Sequence, residues 1–476
     1  MNIALIRPQK IRGAFEKILI QEPINLAYLG AHLQASGFTP VIWDFEVEEF
    51  SEEILKEKIR KEKITIAGIT AMTPTIKNAH QIAQIIRKSA PMVKTIIGGP
   101  HVSAIPEQTM RDFPAFDYAV IGEGEITFSE LVKTLVENKD PALVPGIFYR
   151  DKAGLASGSP GRSYKHNLDE LPMPDRSLLK KELYGNLYAA GIDSPGKKGT
   201  VVFTSRGCSQ NCTFCAVKKT MGEKTRFRSA ENVIAELVSC KENFGYNHIT
   251  FEDTNLTLNP ERFWKICQAL KKLNLTWDCQ TRVNLVTSKM LSEMKDCGCL
   301  KVAFGVESGS QRILDLMHKN IKISEVETAF HLTRKAGIIS CAFFILGGHP
   351  EENEEDIAQT EKLLHRIKPD VFQLGIICPY PGTEICEIMK KENLISSMDW
   401  DSFNFMHAVP AWGTKYLKAQ DLVRLQKKIY LGYLFRIDFL GKTIFKMLRP
   451  SYFLRTIKLA KEMINYLVFE KRIRNR

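Results

Sequence analysis

The sequence predicts an α/β protein in three parts: a Rossmann-type doubly wound sheet at the amino terminus, a partial (β/α)6 barrel in the middle and a helical carboxy-terminal extension. Three observations predict it. Strand-length β-branched runs alternate with helix-period segments from residue 1 to about 145, a stretch rich in Gly, Pro, Ser and Asp interrupts this over 146–198, and six further strand–helix units precede a basic, helical end. The expected divisions are 1–145, a linker at 146–198, 199–390 and 391–476. With 476 residues, 44% hydrophobic and 25% charged, the chain has ordinary globular composition, which excludes a disordered, collagenous or coiled-coil protein.

In the first part NIALI (2–6), PVIWD (40–44), IAGIT (66–70), TIIGG (95–99) and YAVIG (118–122) read as strands, and 24–36, 51–63, 75–89, 106–112 and 125–136 as helices. A ligand of such a sheet lies at the carboxyl ends of its strands. There stand Thr70-Ala71-Met72-Thr73-Pro74-Thr75, Gly98-Gly99-Pro100-His101 and Gly122-Glu123-Gly124-Glu125. Glycines let backbone approach a bulky ligand, and plain βα turns are an equal reading at this point. DKAGLASGSPGRS, LPMPDRS and DSPGKKG then predict a connection with little regular structure. The strands resume as GTVVFTS (199–205), HITFED (248–253), TWDCQT (276–281), KVAFGV (301–306), SCAFFIL (340–346) and VFQLGII (371–377), a barrel with its chemistry at the strand carboxyl ends.

Residues 415–476 hold 16 of the 66 basic and 4 of the 54 acidic side chains, so the body to residue 414 carries 50 of each and the net +12 sits in the tail. A neutral body argues against a nucleic-acid partner. The 11 cysteines all lie between Cys208 and Cys386, the start MNIALIRPQK reads as a buried strand rather than a leader, and no apolar run reaches spanning length. A reducing, cytoplasmic setting is expected, where clustered cysteines bind metal or do chemistry. Apolar residues mixed with Arg436, Lys442, Lys446, Arg449, Arg455, Lys458 and Lys461, split at Pro450, predict two amphipathic helices. Packing on the barrel is their first reading and peripheral contact with a membrane surface through 415–476 the second.

Directly after the first barrel strand stands Ser205-Arg206-Gly207-Cys208-Ser209-Gln210-Asn211-Cys212-Thr213-Phe214-Cys215, a CxxxCxxC loop. Three thiolates on one loop ligate three irons of a 4Fe-4S cluster and leave the fourth open. Zinc wants four closed ligands, and no second pair is close: Cys297 and Cys299 form a CxC at a helix end.

With Phe214 before the third cysteine, this loop resembles that of the radical S-adenosylmethionine (SAM) superfamily. The resemblance implies that Cys208, Cys212 and Cys215 hold the cluster, that its open iron binds SAM, and that reductive cleavage yields methionine and a 5′-deoxyadenosyl radical. It also implies a cofactor pocket lined by Phe214, Glu252, Asp253, Arg282, Glu307, Ser308 and Pro379 to Thr383. Arg282 offers a planar fork to a carboxylate and Glu307 an acceptor for a ribose hydroxyl or an ammonium, although barrel-mouth salt bridges explain each equally well. Gly347-Gly348-His349-Pro350 stands where relatives more often read GxPGET.

A parallel α/β domain with GGPH and GEGE loops before such a barrel is similar to the cobalamin-binding branch of that superfamily, which includes class B methyltransferases and the anaerobic magnesium-protoporphyrin ester cyclase. The resemblance implies cobalamin against Thr70 and Thr73 on its lower face, with Gly98, Gly99, His101, Gly122, Glu123 and Gly124 at its nucleotide tail. The DxHxxG signature is absent and His32, His80 and His101 lack its context, so no protein histidine is expected on cobalt. No cysteine precedes Cys208, which excludes a methylthiotransferase with a second cluster. The expected activity is methyl transfer to an unactivated carbon through methylcobalamin and the 5′-deoxyadenosyl radical; the alternative is radical cyclisation or rearrangement without methyl transfer. The expected partners are a small-molecule or lipid-like substrate and a flavodoxin- or ferredoxin-type electron donor.

Overall fold

The computed structural model describes residues 1–10, 20–150, 156–184, 198–403 and 410–436. Its first sheet contains β1 (Asn2–Arg7), β2 (Thr39–Asp44), β3 (Ile64–Thr70), β4 (Lys94–Gly98), β5 (Tyr118–Val120), β6 (Ile147–Arg150) and β7 (Ala156–Gly158), in the order β2-β1-β3-β4-β5-β6-β7. The first five run parallel and the last two pair antiparallel. Helices cover both faces, which is why Ile3, Ala4, Leu5 and Ile6 are all buried instead of alternating. Strand order reverses between β1 and β3, so the crevice at their carboxyl ends is the ligand-binding switch point.

The helices Ile24–Ala35, Glu52–Lys61, Ile76–Ser89, Pro106–Asp112 and Gly124–Val136 lie close to their expected bounds. Ser51 starts the second by accepting from the Ile54 amide at 3.2 Å. The expected linker is different. The sheet continues through β6 and β7 to Gly158 rather than ending at 145, and short 3-10 turns follow at Leu168–Glu170, Arg176–Leu178 and Lys181–Leu183. Pairing of Tyr118 with Tyr149 and Ala119 with Phe148 covers the outer edge of β5, a gain that turn-rich local composition does not announce.

The second sheet contains β8 (Gly199–Val202), β11 (His248–Phe251), β12 (Thr276–Thr281), β13 (Cys299–Glu307), β14 (Ile339–Leu346) and β15 (Val371–Ile376), with a two-stranded ribbon, β9 (Ser205–Arg206) and β10 (Arg226–Phe227), beside it. Its order is β15-β14-β13-β12-β11-β8, all parallel, and β8 and β15 do not pair, so the barrel is partial. Both free edges are covered. Helix Ala419–Leu434 lies on β15: Gln426 donates to the Leu374 carbonyl at 2.7 Å, Tyr430 Oη accepts from the Leu374 amide at 2.9 Å and Tyr433 donates to the Pro369 carbonyl at 2.6 Å. On β8, Arg176 donates to the Val201 carbonyl at 2.8 Å, and Thr200 donates to Glu22 of the first part at 2.6 Å. The rest of the basic tail, with its split at Pro450, lies outside the described residues. Among the described residues no helix is long and apolar enough to cross a membrane.

A buried ionic triad fastens the parts. Glu236, 1% exposed on helix Ala230–Glu242, receives Arg176 at 2.6 Å and Arg228, and Arg228 also reaches the Tyr28 hydroxyl at 3.1 Å and the Phe203 carbonyl at 2.8 Å. Burial pushes the Glu236 carboxyl up, but the two guanidiniums outweigh it and hold it below its ordinary value. Glu236→Ala strands two buried cations, so urea denaturation is expected to show a loss of about 3–5 kcal/mol. Lys265→Ala, which removes an exposed contact to Glu231, is expected to leave the midpoint in place.

Candidate cofactor site

The cysteine loop leaves β9 through Gly207, at φ 81°, where a Cβ would stand 2.2 Å from the Lys224 carbonyl oxygen, so only glycine fits. Backbone bonds dock the loop: the Cys208 amide to the Gly222 carbonyl at 3.3 Å, the Thr213 amide to the Met317 carbonyl at 3.1 Å and the Ile385 amide to the Thr213 carbonyl at 3.0 Å. Thr254 and Asn255, just after β11, reach the Gly207 carbonyl at 3.3 Å and Cys208 Sγ at 4.0 Å. Cys208, Cys212 and Cys215 are free and half-buried. Burial raises the Cys212 thiol above its ordinary pKa while Lys319 and Arg282 pull it down. Cys215 is raised by burial and by the other two thiols, against a backbone hydrogen bond.

Lys319, which sequence reading passed over, is a central cation here. Its Nζ lies 2.6 Å from Glu307 Oε1, with both side chains under 10% exposed, and 5.9 Å from the centroid of Phe214. Arg282 donates to the Lys319 carbonyl and, at 3.0 Å, to the Asn320 carbonyl. Glu307, His318 and Asn320 all have left-handed backbone, an unusual concentration for non-glycine residues and one typical of functional sites. The local signal was the segment Met317-His318-Lys319-Asn320, too short to show periodicity.

Two expected pocket residues are spent on structure. Asp253 accepts from the Thr204 amide at 3.0 Å, the Thr204 hydroxyl at 2.7 Å and the Ser205 hydroxyl, stapling β8 and β9 to β11. Ser308, fully buried, lies 3.3 Å from the Thr360 hydroxyl. Beyond β14, Glu352 is buried with one carboxyl oxygen accepting from the Gly348 amide at 3.0 Å.

A cavity of about 1020 Å³ opens between the two sheets. Thr70, Gly98, Gly99, Gly122, Glu123 and Gly124 border it from the first part, and Glu252, Phe203, Phe343 and Phe372 from the barrel. Arg206, Thr220 and Met221, which flank the cysteine loop in sequence, border it too. Glu252, held at 2.8 Å by Gln21 and 3.3 Å by Gln280, is raised by burial. Thr73 and His101 do not line the cavity. They sit 3.3 Å apart in the core, with the His101 ring 4.9 Å from that of Trp400, and burial lowers His101 to about 4. Both follow strand carboxyl ends, where the resemblance implies cobalamin contacts, but the helix turn at Pro100–Ala104 points the His101 ring inward.

Profiles of the radical SAM superfamily and of the B12 binding domain match residues 202–364 and 19–132. An uncharacterized methyltransferase of Pyrococcus horikoshii is 33% identical over 450 residues, covering 94% of this chain and 95% of that one. The chain belongs to the cobalamin-binding branch of the radical SAM superfamily. It is also similar to the anaerobic magnesium-protoporphyrin IX monomethyl ester cyclase of Rubrivivax gelatinosus, at 28% identity over 85% of this chain and 73% of the cyclase. The solved structure of OxsB, a cobalamin-dependent SAM radical enzyme, superposes with a TM-score of 0.74 over 98% of this chain and 72% of OxsB at 18% identity, a likeness of fold. This radical SAM protein is therefore an enzyme whose cofactors are a 4Fe-4S cluster, SAM and cobalamin.

The residues fit those groups. Among the described residues no three His, Cys, Asp or Glu side chains are gathered as a metal site, and what the loop offers is three free, half-buried thiols on one short segment beside Lys319. The buried Thr213 Oγ1 and Asn255 Oδ1 next to it find no hydrogen-bond partner among the described residues. On the cobalamin side, a Cβ at Gly98 or Gly124 would meet nothing nearer than 3.9 or 3.8 Å, so bare backbone faces open cavity without the chain requiring it.

Glu352 sets a pH expectation. Burial, reinforced by Asp356, raises its carboxyl from 4.5 to about 8. The neutral acid is the form the fold accommodates, so its stability is complete below pH about 4.5 and is lost as pH rises through about 8. Denaturation of wild type and Glu352→Gln at pH 5 and pH 9 is expected to show the variant gaining relative stability at the higher pH.

Proposed function

We propose that this protein is a cobalamin-dependent radical SAM methyltransferase that places a methyl group on an unactivated carbon of a small molecule. The observation that carries this reading is one cavity bordered both by the glycine-rich strand ends of the first sheet and by Arg206, Thr220 and Met221, which flank the cysteine loop. When bound, the cluster supplies the electron that cleaves SAM, and the corrinoid carries the methyl group. The chain's own work is placement. Cys208, Cys212 and Cys215 hold the cluster; Lys319 and Glu307, opposite charges 2.6 Å apart beside that loop, match the carboxylate and ammonium of the amino-acid end of SAM. Gly98, Gly99, Gly122 and Gly124 give the corrinoid close approach to backbone.

Phe203, Phe343, Phe372 and Leu374 form an apolar wall suited to a hydrophobic, lipid-like substrate, with Glu252 as a carboxylate among them. A flavodoxin- or ferredoxin-type protein is proposed as the electron donor. Methyl transfer is favoured over cyclisation because the relative matching at 33% across nearly the whole chain is named an uncharacterized methyltransferase, whereas the cyclase matches at 28%.

Anaerobic reconstitution with iron, sulfide and hydroxocobalamin, followed by desalting, tests both cofactor sites. Cys208→Ala is expected to lose iron and keep cobalamin, and Gly98→Val to lose cobalamin and keep iron. Wild type that retains a cluster but no cobalamin would sink the methyltransferase reading. With dithionite and SAM, wild type is expected to release methionine and 5′-deoxyadenosine. Lys319→Met removes one charge-assisted contact and should raise the SAM concentration for half-maximal cleavage by about tenfold or more; no change would remove Lys319 from the SAM site.

A further inference from the structure

We propose that Glu123 and Glu125 of the first sheet and Arg206 and Arg226 of the cysteine-loop ribbon form a four-charge clamp that holds the cluster-binding loop in register with the cobalamin face. All four are positioning residues, and the inference rests on the two-cofactor reading above.

The geometry begins with a conflict inside the ribbon. Arg206 and Arg226 are directly paired across β9 and β10, and like charges in that position oppose pairing. The relief comes from the other sheet. Arg226 grips Glu123 with both nitrogens, at 2.6 and 3.0 Å, and Arg206 lies 2.6 Å from Glu125 and 3.6 Å from Glu123. None of the four side chains is more than 13% exposed, so water does not screen them. Burial pushes Glu125 up, yet Arg206 outweighs it and holds the carboxyl below its ordinary value. Two cations and two anions leave no net charge.

Arg226 extends the clamp to the cysteine loop. It also donates to the Lys165 carbonyl at 2.8 Å and the Met221 carbonyl at 2.7 Å, and its guanidinium lies 5.0 Å over the Tyr164 ring. Gly222, next to Met221, accepts from the Cys208 amide, and Arg206 is two residues before Cys208. Gly122, Glu123, Gly124 and Glu125 line the cavity on one side of these contacts, and Arg206, Thr220 and Met221 on the other. The ribbon that carries the cluster loop therefore pairs stably only when the cobalamin-side loop is docked on it.

Charge exchange tests this. In Glu123→Arg and Arg226→Glu, amide exchange of 118–125 and 205–227 in the full chain is expected to quicken by about tenfold, and the double variant E123R/R226E to recover most of the protection. In holoenzyme, pulsed EPR between the reduced cluster and cob(II)alamin should give a narrow distance distribution for wild type, a broad one for each single variant and a narrowed one for the double. Wild-type exchange in the single variants, or a double no better protected than either, overturns the clamp. Wild type that fails to retain cobalamin overturns the functional reading instead, and the exchange measurement, which needs no cofactor, still decides the clamp.

Discussion

A guanidinium that has lost its water must find acceptors in the protein, and where the two sheets join those acceptors are carboxylates. Arg176 and Arg228 share Glu236, and Arg206 and Arg226 share Glu123, with Glu125 pairing to Arg206. Replacing such pairs with apolar residues often costs nothing, whereas separating them is expensive, so their value lies in selecting one arrangement. Here the arrangement selected sets β8 and the cysteine-loop ribbon against the helix and loop that follow β1 and β5, through Tyr28, Glu22 and the Gly122–Glu125 loop.

The same constraint shapes the site. An open barrel leaves two strand edges, one covered by helix Ala419–Leu434 and the other by Arg176 and Glu22 from the preceding chain. The opening between those edges becomes the cavity, with the switch point of the first sheet on one side and aromatic barrel residues on the other. The cysteine loop is fixed mainly through backbone bonds to Gly222, Met317 and Ile385, which leaves its thiols free for ligation. The left-handed turns at His318 and Asn320 present Lys319 to Glu307 and Phe214.

Much of the fold was legible because strands buried on both faces read as short, mostly apolar runs, as Ile64–Thr70 and Ile339–Leu346 do. The strands β6 and β7 were not, because their stability comes from pairing with β5 and their residues look like turns. At the site, position after a strand does not show which way a side chain faces. Thr70 and Glu252 border the cavity, while Thr73, His101 and Asp253 turn into the core, and Arg226 lay in a segment with no motif to mark it.

By itself the sequence determined the order of the parallel strands and the main helices between them, the cysteine loop and the glycine-rich strand ends, because these depend on local periodicity, cysteine spacing and backbone permissiveness. Only the tertiary structure decided which charges meet. Glu123 and Arg226 are 103 residues apart and Arg176 and Glu236 are 60 apart. No local pattern encodes such pairs, since their affinity arises when folding removes water from both partners at once.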